Sequence, residues 1–454
     1  MLRLGNISFA IVACLVVGVA AAQDTPKPNP KPETVDDVIS KILRETPDTA
    51  TPSANPTTTV PASAPTSTNP IIMSARIGEH PDRTRFVVEL SDPVDMRTFT
   101  LNGPNRVVID MPAVQWHLEG PPRPSGDGAV KSYRYGLFRP GNSRFVIDLN
   151  QPVVVSDALV LPPENGFGYR VVIDLFPTTQ AKFDKSAGWP ADLKARDSAA
   201  QRVASLPPQP TVLPPTSTKK VVIIDPGHGG IDSGTVGVDG TMEKDVVLAE
   251  GLRVRKMLLA HNYAVHMTRD TDVFIPLRER VNIARSWHAD LFISIHADSI
   301  HDPSVEGLSV YTLSEKGSDK EAAALAAKEN QSDVIAGVDL SGDNSAVAPI
   351  LIDLAQRDTM NKSSRFAETA IAELSQATDV LPRQPHRSGA LVVLKAPDVP
   401  AVLIELGYLS NVHDAVQMTT PVWRDGVADA IAAAVDRHFG ASAPAEPKAA
   451  QGTQ

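Results

Sequence analysis

The sequence predicts an α/β domain with a mostly parallel sheet flanked by helices, preceded by a small all-β sandwich domain. Beyond residue 220, apolar runs such as VVIID and LFISIH alternate with helical stretches, which is the pattern of a parallel sheet covered on both faces. Residues 70–176 instead consist of short alternating runs separated by turn signals, which is typical of a sandwich. The length of 454 residues fits two such domains joined by linkers.

Composition separates these domains from the segments around them. Residues 23–69, 177–219 and 441–454 are rich in Pro, Thr, Ser or Ala, and they predict two linkers and a loose tail. The formal net charge is −10, from 43 Lys and Arg against 53 Asp and Glu, and the basic residues form no stripe. This balance argues against nucleic acid as a partner.

Residues 1–22 have the three parts of an export signal. Arg3 gives a positive start, residues 7–19 an apolar centre, and residues 20–22 a cleavage site made of three alanines. The alternative is a lipoprotein processing box at Cys14, although further apolar residues follow it. If the signal is removed, the mature chain is expected to have no cysteine and therefore neither a disulfide nor a thiol nucleophile, and no transmembrane anchor.

The predicted sandwich repeats internally. The repeated stretches are TRFVVELSDPV with SRFVIDLNQPV and PNRVVIDM with GYRVVIDL, at offsets of 59 and 64 residues. Alternation of Phe86, Val88 and Leu90 with their neighbours gives one face of the first strand to the core. We expect two similar halves packed face to face, forming a binding or targeting module without a catalytic cluster.

Polar side chains lie in or directly after three of the later apolar strands, where a purely structural core would have apolar residues. His228 follows VVIID, His296 ends LFISIH, and Glu405 lies within AVLIELGY, while Glu243 opens a helix after the glycine-rich loop. Functional groups collect at the carboxyl ends of strands in such sheets. Two imidazoles and a carboxylate suit a catalytic zinc site with an open position for water. Glu405 would then be free to act as a general base.

Each of these side chains could instead have a purely structural role. Glu243 is also placed to complement a helix dipole, and His296 could be a buried histidine bonded to the backbone. Glu405 is harder to assign to structure alone, because a buried carboxylate is costly unless it is paired. The GHGG loop is similar to a hydrolase oxyanion loop, but the chain has no G-x-S-x-G turn. It also has neither a phosphate-binding G-x-x-x-x-G-K-[ST] loop nor an H-E-x-x-H motif.

Five ordered motifs resemble one family, the zinc-dependent N-acetylmuramoyl-L-alanine amidases of the periplasmic cell-division type. They are DPGHGG with a downstream Glu, TRDTD, PLRERVNIAR, SIHAD and LKAPDVPAVLIELGYLSN, between residues 221 and 439. The repeated β segment resembles the AMIN domain that precedes the catalytic domain in this family. The resemblance implies an AMIN-like, wall- or septum-targeting domain over 70–176 and a catalytic domain over 220–440.

The resemblance also implies the chemistry of the site. His228, Glu243 and His296 would bind one zinc ion, and Glu405 would be the catalytic carboxylate. The substrate would be peptidoglycan in the periplasm of a Gram-negative bacterium, cut between N-acetylmuramic acid and L-alanine as daughter cells separate. Two alternatives remain: a catalytically inactive peptidoglycan-binding scaffold, and a zinc peptidase acting on stem-peptide crosslinks.

The segment at about 319–358 resembles the regulatory insertion of the division amidases. It contains SDKEAAALAAKENQSDVIAGVD, whose composition strongly favours a helix over 319–333. We expect Glu329, or as second choice Glu321, to occupy the open position of the zinc. In this interpretation the helix covers the site until a protein activator of the division machinery, with a degenerate LytM-type endopeptidase fold, displaces it. The alternative is an ordinary surface helix.

Overall fold

The structure, a computed structural model, describes residues 69–118, 128–194, 219–338 and 350–440. The predicted signal peptide, nearly all of the first predicted linker and the predicted tail lie outside these ranges. The described residues form a β domain, up to residue 194, and an α/β domain, from residue 219. This is the fold class that the sequence predicts.

Ten strands among the described residues build the β domain as two stacked sheets. They are β1 (Ile71–Glu79), β2 (Thr84–Leu90), β3 (Arg97–Leu101), β4 (Arg106–Pro112), β5 (Gln115–Trp116), β6 (Val130–Arg139), β7 (Asn142–Leu149), β8 (Val153–Val155), β9 (Leu159–Leu161) and β10 (Tyr169–Pro177). Sheet I has the order β5-β1-β2-β10-β8, with β9 also paired to β10, and sheet II has the order β3-β4-β7-β6. Phe86, Val88 and Leu90 are fully buried between the sheets, as their alternation predicts.

The two sequence repeats do not form one sheet each, which corrects the expected arrangement. Sheet I pairs β2 of the first repeat with β10 of the second, and sheet II pairs β4 with β7 in the same way. This exchange gives each sheet an ion pair between repeats, Arg85 with Asp174 (2.7 Å) and Arg144 with Asp110. Oppositely charged side chains on adjacent strands stabilise that pairing.

The first part of the segment predicted as a linker, 177–219, has regular structure. Its first residues form helix α1 (Gln180–Ser186), whose start is capped by the Thr179 side chain. Phe183 of this helix is fully buried in the core of the β domain. Burial of this aromatic side chain helps to keep a proline-containing, largely polar stretch folded onto the domain.

The α/β domain has six strands and seven α-helices among its described residues. They are β11 (Val221–Pro226), α2 (Glu243–Ala260), β12 (Ala264–Met267), α3 (Leu277–Ser286), β13 (Leu291–His296), β14 (Ser309–Leu313), α4 (Lys320–Glu329), α5 (Ser332–Ile335), α6 (Ile350–Leu374), β15 (His386–Gly389), β16 (Ala401–Glu405), α7 (Val412–Thr419) and α8 (Pro421–Phe439). The sheet order is β12-β11-β13-β16-β14-β15. All neighbours are parallel except β14 and β16.

Both faces of this sheet are covered, as the apolar strands predict. On one face, α2, α6 and α8 pack against side chains such as Ile224 and Ile293. On the other face, α3 and α4 pack against side chains such as Ile223 and Phe292. The alternation of buried side chains along each strand therefore fills two separate cores.

Among the helices that the structure describes, none combines the length and apolar character needed to cross a bilayer.

Candidate metal centre

Three adjacent parallel strands end at one edge of the sheet and carry the predicted site residues there. β11 ends at Pro226, two residues before His228, and β13 ends at His296. β16 ends at Glu405, which is the register partner of His296. The carboxyl ends of parallel strands meet at the same edge, so side chains from distant parts of the chain converge there.

The glycine-rich turn after β11 holds His228 in the left-handed backbone region, with φ of 57°. A residue with a side chain is unfavourable in this region, so the surroundings must hold it. Arg280 donates to the carbonyl oxygens of His228 (2.6 Å) and Pro226 (2.8 Å), and Arg269 donates to that of Gly227 (2.8 Å). Both arginines lie in the TRDTD and PLRERVNIAR motifs, where the sequence alone gives them no role.

Close contact between the two histidines depends on a glycine. The His228 and His296 rings meet edge to face, with centroids 4.9 Å apart. A Cβ atom on Gly227 would lie 2.3 Å from the His296 ring, closer than carbon atoms can approach. Gly227 therefore makes room for the second imidazole.

Glu243 lies fully buried beneath both histidines at the first residue of α2. Its Oε2 accepts a hydrogen bond from Thr235 N and its Oε1 accepts one from Ala297 N, both at 2.9 Å. The same Oε1 lies 3.0 Å from His228 Nε2 and 3.1 Å from His296 Nδ1. Backbone donors thus hold the carboxylate with one oxygen facing both rings.

Glu329 approaches the same two nitrogens from the end of α4. Its Oε2 lies 3.4 Å from His228 Nε2 and 3.2 Å from His296 Nδ1. The candidate ligand atoms of His228, His296 and Glu329 all lie within 4.8 Å of one another. With Glu243, two imidazole nitrogens and two carboxylates face one point, and all four side chains are buried.

This donor set fits a zinc ion. His228 Nε2 and Glu329 Oε1 are buried and have no hydrogen-bond partner among the described residues, although carboxylate oxygens adjoin the imidazole. A metal site requires ligand atoms that lie close together and are not all used in hydrogen bonds. Nitrogen and carboxylate oxygen are the ligand types that catalytic zinc uses with histidine.

The opposite charges of the histidines and the carboxylates shift the pKa values of both. Burial alone would lower the pKa of His296, but the negative charges of Glu329 and Glu243 outweigh burial and raise this pKa to about 10. Burial likewise lowers the pKa of His228, and Glu243, Asp232 and Glu329 together hold it well above its usual range. Burial raises the pKa of Glu243, and the attraction of the histidines outweighs it and holds that pKa well below normal. The site is therefore built for ionised carboxylates facing a positive charge.

Glu405 is different from the other acids of the cluster. Its Oε2 accepts a hydrogen bond from Asp298 N (3.0 Å), and its Oε1 has no partner among the described residues. Burial and the charges of Glu243 and Glu329 raise its pKa to about 8, against the attraction of His296. A carboxyl group with one unpaired oxygen and a pKa close to neutrality is suited to exchange a proton in the working range of pH.

Asp232 is a site residue that the sequence analysis missed. Its Oδ2 lies 2.9 Å from His228 Nδ1, and Ser332 of α5 donates a hydrogen bond to the same oxygen. A carboxylate on the second ring nitrogen fixes the orientation of a ligating histidine. The available signal was its position four residues after His228, directly behind the GHGG turn.

Helix α4 delivers two neighbouring side chains to the site. Glu329 reaches the histidines, and Lys328 pairs with Asp298 and donates to Thr235 Oγ1 (2.6 Å). The predicted helix over 319–333 is in fact two helices. The side chain of Asn330, which accepts from Val392 N at 2.9 Å, lies at the break between α4 and α5.

Glu321, the second acid proposed to cap the metal, lies elsewhere. It is on the first turn of α4, its side chain is 59% exposed, and it pairs with Arg387 at 2.8 Å. The turns of the helix place Glu321 and Glu329 at opposite ends of α4, so only Glu329 reaches the histidines. His261, His266, His288 and His301, which also belong to this domain, are partly or fully exposed.

Comparison with known proteins gives consistent matches for both domains. The family described as N-acetylmuramoyl-L-alanine amidase matches residues 222–437, and the AMIN domain family matches residues 74–161. The N-acetylmuramoyl-L-alanine amidase AmiC of Escherichia coli O6:H1 is 35% identical over 379 residues, 81% of this chain and 89% of its own length. The AmiC of Neisseria meningitidis serogroup B is 33% identical over 381 residues, 82% of this chain and 91% of its own length. The AmiA of Escherichia coli K12 is 39% identical over 222 residues, 49% of this chain and 76% of its own length.

Proposed function

The chain belongs to the N-acetylmuramoyl-L-alanine amidases, and we propose that it uses one zinc ion to split septal peptidoglycan as daughter cells separate. The bond cut is the amide between the lactyl group of N-acetylmuramic acid and L-alanine of the stem peptide. The observation that supports this proposal is the convergence of His228, His296 and Glu243, with Glu405 at the end of the adjoining strand.

In this proposal His228, His296 and Glu243 hold the metal and Glu405 moves the proton. Zinc, when bound, supplies polarisation of the amide carbonyl and a lowered pKa for water. Glu405 takes a proton from the attacking water with its unpaired oxygen and passes it to the departing nitrogen of L-alanine. Asp232 keeps the His228 ring oriented throughout. The hydrogen bond from Asp298 N holds Glu405 in position.

We also propose that the enzyme is autoinhibited by α4. Glu329 lies at both histidine nitrogens, where it would occupy a ligand position of the zinc ion. Lys328 fastens the same end of the helix to Asp298. Substrate and water need that position, so the end of α4 must leave before the reaction can begin. A protein activator with a degenerate LytM-type endopeptidase fold would displace it.

The proposed cellular setting is the periplasm of a Gram-negative bacterium. Support comes from the export signal predicted over residues 1–22 and from similarity to the AmiC proteins of two such bacteria. The β domain would then target the enzyme to the wall or septum, in keeping with its match to the AMIN domain.

Product analysis tests the proposed chemistry. Purified peptidoglycan is digested with the parent chain and with Glu329→Gln, each with and without a chelator, and the products are identified by mass spectrometry. The Glu329→Gln variant is included so that a covered site is not mistaken for an inactive one. A His228→Ala variant serves as the metal-binding control, with zinc content measured directly.

Each outcome has a distinct meaning. Chelator-sensitive release of stem peptides with an L-alanine amino terminus supports the zinc amidase. Cleaved crosslinks would identify a zinc peptidase instead. Absence of a zinc-dependent product from both the parent and Glu329→Gln would leave a peptidoglycan-binding scaffold and overturn the proposal.

A further inference from the structure

We propose that sheet II of the β domain is a binding surface for residues 332–338, and that this contact holds Glu329 at the histidine pair. We call these seven residues the tether. The inference rests on the autoinhibition proposed above and adds the structural element that maintains it. The β domain would then be part of the regulation of the active site as well as a targeting module.

Three arginines on the outer face of sheet II donate hydrogen bonds to successive carbonyl oxygens of the tether. The bonds run from Arg106 to Val334, from Arg134 Nε to Ile335 (3.0 Å), and from Arg144 Nη1 to Ala336 (2.9 Å) and Gly337 (3.1 Å). The last carbonyls of a helix have no partner within it, and α5 ends at Ile335. Arginine side chains are well suited to satisfy them.

Two of the three arginines are also held by carboxylates of their own sheet. Arg134 makes a two-pronged ion pair with Asp148 (2.7 and 3.0 Å), and Arg144 makes one with Asp110. Each guanidinium is therefore fixed on one side by its own sheet and offers its remaining N–H groups outward. Preorganised donors lose little entropy on binding, so they favour a tight contact.

Apolar packing reinforces these hydrogen bonds. Ala336 is fully buried and Val338 is 7% exposed, in one cluster with Phe99 and Phe138 of the β domain. Trp189 belongs to the same cluster and donates from its indole nitrogen to the carbonyl of Gly337 (3.1 Å). The tether thus lies across a specific surface that includes residues beyond sheet II itself.

The tether is directly joined to the metal centre. Only Asn330 and Gln331 separate it from Glu329, and its first residue, Ser332, donates to Asp232 beside His228. Its second residue, Asp333, accepts a hydrogen bond from Leu277 N (2.9 Å) at the start of α3. Because the segment is short and held at several points, Glu329 cannot move far while sheet II retains the tether.

The internal repeat supplies a matched control surface. Arg76 occupies in sheet I the place that Arg134 occupies in sheet II, since Arg76 pairs in register with Val87 and Arg134 with Val146. Arg76 pairs with Glu89 in its own sheet (3.2 Å), and its side chain is 51% exposed. Arg76→Met therefore shows the effect of removing a paired arginine from a sheet of this domain while the contacts with the tether stay intact.

The experiment compares Arg134→Met, Trp189→Phe and Arg76→Met in the full chain. Hydrogen exchange is followed by mass spectrometry over residues 325–338, and basal peptidoglycan hydrolysis is measured alongside. Loss of one charge-assisted hydrogen bond is expected to speed exchange of the tether about tenfold. Arg134→Met and Trp189→Phe should also raise basal hydrolysis, and Arg76→Met should match the parent in both measurements. Trp189→Phe keeps an aromatic ring in the cluster, so it decides the question if Arg134→Met lowers the melting temperature.

The two proposals fail in different ways. Parent-like exchange in both Arg134→Met and Trp189→Phe, with faster hydrolysis in Glu329→Gln, would overturn the binding surface and leave autoinhibition standing. Faster exchange without any gain in hydrolysis, in these variants and in Glu329→Gln, would overturn autoinhibition and with it the regulatory role of sheet II. An equal effect of Arg76→Met on exchange would also overturn the specific contact.

Discussion

Glu405 and His296 are register partners at the carboxyl ends of neighbouring parallel strands, so the proposed base is carried beside a proposed zinc ligand by the sheet itself. No loop has to close to bring them together. The raised pKa of Glu405, to about 8, follows from its burial and from the carboxylates of Glu243 and Glu329. Backbone pairing in the sheet thus fixes the separation of the two groups on which the proposed reaction depends.

Replacing Glu405 with Gln should remove the proton acceptor and leave the metal in place. We expect turnover to fall roughly 100- to 10,000-fold, the usual contribution of a positioned general base. The change is best measured in the Glu329→Gln background, where the site is open, by comparing single and double variants on purified peptidoglycan. Zinc content and melting temperature should be unchanged. Near-normal turnover in the double variant would show that another group accepts the proton.

The sequence predicted that these polar residues lie at or near the ends of strands, because the signal for their position is local. His296 and Glu405 each interrupt an apolar strand pattern, His228 follows one, and Glu243 opens a helix after a glycine-rich turn. The contact between Arg144 and Ala336 joins residues 192 positions apart, and no local pattern marks it. The repeats likewise predicted two β halves but not the exchange of their strands between the sheets. Either arrangement gives the same alternation of buried and exposed side chains along each strand.

Replacing Asp232 with Ala should weaken metal binding through loss of the hydrogen bond to His228 Nδ1. We expect zinc affinity to fall about 10- to 100-fold, as for other carboxylates that orient a ligating histidine. Competition with a chromogenic chelator measures this directly and does not depend on turnover. Asp232→Asn keeps a carbonyl acceptor and should restore most of the affinity.

Ser332→Ala is the matched control for this role. It removes the other side-chain hydrogen bond to Asp232 and leaves His228 paired, so zinc affinity should stay at the parent value. Equal zinc affinity in Asp232→Ala and the parent would mean that the surrounding loop alone orients His228.

Replacing Glu329 with Gln should open the site. The neutral amide keeps the size of the side chain but loses the charge that faces both histidines. The end of α4 is therefore held less strongly at the site. We expect basal hydrolysis to rise roughly tenfold, within the usual range of coupling between a regulatory element and its site. The matched control is Glu321→Gln on the same helix, whose side chain is 59% exposed and pairs with Arg387. Equal rates in both variants would exclude a specific role for Glu329.

Replacing Glu250 with Gln should change how stability depends on pH. Glu250 is fully buried on α2, neither carboxylate oxygen has a hydrogen-bond partner among the described residues, and burial raises its pKa to about 8 despite Arg424 and Arg253. A carboxyl group with a higher pKa in the folded state binds its proton more tightly when folded. Its stabilising contribution is therefore complete below the unfolded pKa of about 4.3 and is lost as pH rises through about 8.

Glu250→Gln cannot ionise, so it should melt near the parent temperature at pH 5 and be more stable at pH 9, by on the order of 3 kcal/mol. Thermal unfolding across this range is the measurement, with the half-exposed Glu306→Gln as control. A difference between Glu250→Gln and the parent that does not grow with pH would show that Glu250 is ionised in the folded protein.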